Sequence, residues 1–119
     1  VRVVELFSHV VAADYHVFSR EEVDRINSQM ISEAKGYLLG LLQRINYSGV
    51  KTKWEVIQGR AAESIAEYAM KEGTDLIIIA THGRSGVSRW VWGSVADRIL
   101  RSSCVPVLMV RAPGCLPGV

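Results

Sequence analysis

The segment Ala80-Thr-His-Gly83-Arg-Ser-Gly86-Val-Ser-Arg-Trp-Val-Trp-Gly93-Ser94-Val95 holds the residues best suited to chemistry. Glycine at 83, 86 and 93 lets the backbone turn sharply and approach an anion closely. Successive N–H groups in such a loop form a concave nest for negative charge. A helix opening at Ser94 adds free N–H donors, the positive end of a dipole and a hydroxyl. Arg84 and Arg89 add full positive charges. The chemistry on offer is phosphate binding. No G-x-x-x-x-G-K-[ST] loop occurs, and no G-x-G-x-x-G follows a strand. The residues alone therefore leave two readings open, a phosphate loop or a surface loop with two solvated arginines.

Other candidates have plainer explanations. His82 has no base–nucleophile pair around it, so a loop-shaping role is expected. Trp90 and Trp92 suit core packing, His9 sits in a strand pattern, and Asp14 and His16 are ordinary loop residues. Ser94 is a good helix cap without any ligand. Cys104 and Cys115 are too few for a disulfide framework, and no Cys/His spacing suggests zinc. Cys104, at the mouth of an apolar strand, is expected to be a buried thiol, and a reducing cytoplasm fits this cysteine usage.

The elements that must position the loop follow from periodicity. Val1 to Val11 reads as a strand and 12–18 as a loop. Ser19-Arg-Glu-Glu22 has the capping-box pattern and opens a long helix. Val23, Ile26, Met30, Ala34, Leu38, Leu41 and Ile45 lie on one face of it, and it ends around Asn46 to Gly49. Gly36 and Gly40, four apart, suggest a close packing contact. Alternation from Val50 to Val56 predicts a half-exposed strand at a sheet edge. Gly59 opens a second helix with Ala62, Ile65, Ala66 and Ala69 inward, and Gly73 stops it. Leu76-Ile-Ile-Ile-Ala80 is apolar on both faces, as a central parallel strand is. A third helix runs from Ser94 to about Arg101, and the run from Val105 to Val110 is the last strand.

The order β-α-β-α-β-α-β predicts an α/β fold, an open parallel sheet with helices on both faces, Rossmann-like. Ligands of such sheets bind at the carboxyl ends of the strands, where the glycine-bearing loop lies. The chain has 119 residues, 49% hydrophobic and 22% charged, which predicts one globular domain over 1–111 and a tail over 112–119. A net charge of +2, scattered along the chain, gives no cause to expect nucleic acid or an anionic membrane as partner. No apolar run reaches the roughly 20 residues of a membrane span.

From Gly59 to Arg111 the chain resembles the universal stress protein family. The matching pieces are Gly73-Thr-Asp-Leu-Ile-Ile-Ile-Ala80, Thr81-His-Gly-Arg-Ser-Gly86, Trp92-Gly-Ser-Val-Ala96 and Cys104-Val-Pro-Val-Leu-Met-Val110. Leu6-Phe-Ser-His9-Val10-Val11 resembles the family's second strand. The ATP-binding branch has G-x-x-G, nine residues, then G-[ST]. Here Ala80-x-x-Gly83 is followed by nine residues and Gly93-Ser94, with Ala80 in place of the first glycine.

The resemblance implies that Gly83, Arg84, Gly93, Ser94 and Val95 wrap the triphosphate of ATP. It implies that Val10 offers its backbone to the adenine and that Ile79 and Ala80 flank ribose and base. It also implies Mg²⁺ or Mn²⁺ travelling with the nucleotide, and homodimers, often through the last strand, Val105 to Val110. The expected function is a nucleotide-responsive regulatory module of the stress response. The alternative is a dimeric interaction protein that binds no nucleotide. A hydrolase of the related adenine-nucleotide group is the third and weakest reading. No general base or nucleophile is evident, so at most slow hydrolysis of ATP is expected. The family's first strand and helix, with an Asp that recognises the nucleoside, have no counterpart after Val1, and a βα unit of about 30 residues or more is expected to lie outside the sequence. Without it the remaining strands are expected to leave a gap in the pairing, with apolar edges exposed.

Overall fold

The computed structural model describes residues 1–7, 18–45, 48–81 and 93–111. Its elements are β1 (Arg2–Val4), α1 (Arg20–Arg44), β2 (Val56–Gln58), α2 (Ala61–Lys71), β3 (Ile77–Thr81), α3 (Ser94–Ser102) and β4 (Val107–Arg111). This is the α/β alternation that the periodicity predicts. The strands pair in parallel as two ladders, β1 with β2 and β3 with β4, and no ladder among the described residues joins the two. The chain divides into two compact units, Val1–Ala61 and Ala62–Val119.

In the first unit, Arg2, Val3 and Val4 lie opposite Val56, Ile57 and Gln58. The ladder is extended at both ends, where the Arg2 N–H donates to the Glu55 carbonyl (3.0 Å) and the Gly59 N–H to that of Val4 (3.1 Å). Helix α1 packs on both strands and buries Ala34 and Leu38, with Val4 buried from the sheet side. Its start is the expected capping box: the Glu22 N–H donates to Ser19 Oγ (3.2 Å), and the Ser19 N–H to Glu22 Oε2 (2.8 Å). The hydrogen bond from the Ser19 backbone holds the exposed Glu22 carboxyl below its ordinary pKa. Phe18 meets Phe7 edge to face with ring centroids 5.3 Å apart, and the Phe7 N–H donates to Asn27 Oδ1 (2.9 Å), so the helix entry is tied to the chain three residues past β1.

Three expectations about this unit are corrected. Helix α1 ends at Arg44, where the Ile45 N–H caps back to Leu41, slightly before the predicted 46–49. Gly36 and Gly40 serve no close approach among the described residues, where a Cβ at either would meet nothing within 4 Å. The alternating run 50–56 is not a strand through its length; the ladder begins only at Val56. Alternation sets which side a residue faces, but hydrogen bonds need a neighbour, and β1 supplies three paired positions.

The link to α2 is local chemistry plus one distant side chain. Gly59 has φ 145°, a region open essentially to glycine, and α2 begins two residues later at Ala61 rather than at Gly59 itself. The Ala61 N–H, an orphan donor of the first turn, is accepted by Glu5 Oε1 at 3.2 Å. At the other end Gly73 has φ 61°, with Thr74 N–H to Ala69 O (2.9 Å) and Gly73 N–H to Met70 O (3.3 Å), a Schellman stop.

In the second unit, β3 and β4 pair over five positions, Ile77 opposite Val107 through Thr81 opposite Arg111. One face of the ladder is packed: Ala62 and Ala69 of α2, Ile77 of β3 and Ile99 of α3 form the core, lined by Ile65, Ile79, Val105 and Val107. The opposite face carries Ile78 (65% exposed), Ala80, Leu108 and Val110, all exposed. The apolar-on-both-faces strand is therefore packed on one side only, and its single described neighbour is β4. Of the nine buried hydrophobic residues among those described, five are alanine.

Cys104 is exposed, against the expectation of a buried thiol. The Ser103 hydroxyl accepts from the Val105 N–H and donates to its carbonyl, both at 3.0 Å, and this tight turn sends Val105 inward and Cys104 outward.

Candidate functional site

Helix α3 is the crossover between two parallel strands and packs on both. Such a helix runs back against its strands, so its N-terminus lies at their carboxyl edge. The sequence accounts for the packing: Ala96 and Ile99, three apart, form the inward face, and Ile99 is fully buried at 0% exposure. Toward the other end, Arg101 Nε donates to Asp97 Oδ2 at 3.0 Å, and this bond raises the guanidinium pKa. Arg98 reaches Glu63 of α2 at 3.5 Å, a surface pair that ties the two helices loosely.

Gly93, not Ser94 as the sequence suggests, is the N-cap residue of α3, and among the described residues no side-chain hydrogen bond caps the helix. The first intrahelical bond runs from the Asp97 N–H to the Gly93 carbonyl (2.9 Å), which leaves the N–H groups ahead of it without an intrahelical acceptor. Gly93 has φ −54° and ψ 138°, a conformation any residue adopts, and an added Cβ would meet nothing within 4 Å. Neither backbone strain nor packing against the described residues requires a glycine there. Ser94 is exposed and Val95 is 38% exposed, so the first turn is open to an external acceptor.

At the end of β3 the two expected nucleoside contacts have different availability. Ile79 packs against the core and is paired with Met109 in the β3–β4 ladder, so its side chain is committed. Ala80 is exposed on the opposite face and lies in the ladder opposite Val110. A strand position has negative φ, which an alanine adopts as readily as a glycine. By the topology of the β3–α3–β4 unit, Ile79 and Ala80 near the end of β3 and Gly93, Ser94 and Val95 at the start of α3 lie toward the same carboxyl edge. Val10, Gly83, Arg84, His82, Arg89, Trp90 and Trp92 lie outside the described residues. Sequence reasoning missed Ile99, the anchor of α3; its spacing from Ala96 was the available signal. It also missed Glu5, whose capping of α2 acts across 56 positions and leaves no local trace. Among the described residues, no cluster of His, Cys, Asp or Glu is arranged to hold a metal ion. No described helix is long and apolar enough to cross a membrane.

Comparison with known proteins gives one answer. The model of the universal stress protein family matches residues 2–111. Universal stress protein MJ0531 of Methanocaldococcus jannaschii is 42% identical over 65 residues, covering 55% of this chain and 38% of that protein. Universal stress protein MJ0577 of the same organism is 28% identical over 88 residues, covering 74% of this chain and 54% of that protein. The solved structure of MJ0577 superposes with a TM-score of 0.75 at 25% identity, covering 95% of this chain and 73% of that one. The chain thus spans between a third and two thirds of the length of these two curated relatives. A match along nearly the whole sequence, joined to the same α/β fold, places the chain in the universal stress protein family.

Proposed function

We propose that this universal stress protein chain binds ATP, with the phosphates at the N-terminus of α3, and acts as a nucleotide-responsive regulatory module of the stress response. The observation that carries the reading is Gly93: a glycine with an ordinary backbone, at a helix start with no side-chain cap and no Cβ contact among the described residues. A phosphate oxygen suits the place, since the uncapped N–H groups and the dipole favour negative charge and the missing Cβ permits close approach. In this reading Gly93, Ser94 and Val95 supply backbone donors, with Gly83 and Arg84 completing the cradle. Ile79 and Ala80 flank ribose and base, Val10 offers its backbone to the adenine, and Mg²⁺ or Mn²⁺ arrives with the nucleotide.

The test is calorimetric titration of Mg²⁺-ATP into the parent chain and into Gly93→Asp. Aspartate is a favoured N-cap, so the variant folds and gains roughly a few tenths of a kcal/mol of stability. It also places a carboxylate where the phosphate would lie. Saturable binding by the parent and none by a folded Gly93→Asp is the expected result; equal binding by both sinks the reading. The partner in the same proposal is a second copy, paired through the segment from Val105 to Val110, where Leu108 and Val110 are exposed at 49% and 45%. Sedimentation velocity is expected to show a dimer, and a Val110→Asp variant to shift it to monomer; a parent that sediments only as a monomer removes this part.

A further inference from the structure

We draw no further inference here: the strongest candidate, the exposed apolar face of the β3–β4 ladder formed by Ile78, Ala80, Leu108 and Val110, is an unpartnered sheet face, and nothing among the described residues shows what covers it.

Discussion

Ile99 and Gly93 stand six positions apart on the α3 segment and do opposite things. Ile99 has no exposed surface and packs with Ala62, Ala69 and Ile77, so it fixes where the helix start points. Truncation to alanine is expected to cost about 2–5 kcal/mol by denaturant unfolding, and Ile99→Val about 0.5–1.5 kcal/mol. Nucleotide affinity per folded molecule should survive Ile99→Val, because the helix start keeps its donors; a tenfold loss in a fully folded variant would show that the site depends on finer packing. A side chain at Gly93 would meet nothing within 4 Å among the described residues, so its replacement is expected to act mainly on the ligand. The ion pair of Arg98 with Glu63 belongs to neither class. Its side chains are 62% and 43% exposed, and Arg98→Ala is expected to change stability by less than about 1 kcal/mol.

The elements of the first unit, its one long helix above all, show what a pH titration would read. Glu22 has its carboxyl pKa held below the ordinary 4.5 by the hydrogen bond from the Ser19 backbone. A depressed folded pKa means that the carboxylate's stabilisation of α1 is complete above the unfolded value and is lost as pH falls through the folded one. Helicity monitored by circular dichroism is therefore expected to weaken at the acid end of the range, below about pH 4.5. Glu22→Gln keeps the box and deletes the titration, so the acid dependence specific to this helix start should vanish. Ser19→Ala removes the cap at every pH, at a cost of about 1 kcal/mol. These elements also show how far the sequence is legible. Ser19 and Glu22 could be read directly, as could the Gly73 stop and the inward Ala62, Ala66 and Ala69, because each acts on its own turn. The extent of β2 could not, because it depends on a partner strand about 54 positions away. Nor could the orientation of Cys104, since an apolar neighbourhood says nothing of the Ser103 hydrogen bonds that turn it outward. Of the candidate site, the donors at Gly93 to Val95 were legible as a motif. The open space at Gly93 and the commitment of Ile79 to the core are properties of packing, which spacing does not encode.

For the molecule as a whole, a ligand that binds only the folded chain adds stability by mass action, about 2.7 kcal/mol at a hundred times its dissociation constant. Saturating Mg²⁺-ATP is accordingly expected to raise the melting temperature of the parent and to leave Gly93→Asp unmoved. The folded chain to which that stability is added has an unusual interior. Ala34, Ala62, Ala66, Ala69 and Ala96 are buried side chains that are already as short as truncation could make them. An alanine scan, the usual survey of a core, would pass over these positions in silence. The informative experiment here runs the other way, by adding carbon: Ala69→Leu forces atoms into the cluster that Ala69 shares with Ala62, Ile77 and Ile99 and is expected to cost about 1–3 kcal/mol. At these five alanines it is enlargement, not truncation, that can disturb the interior.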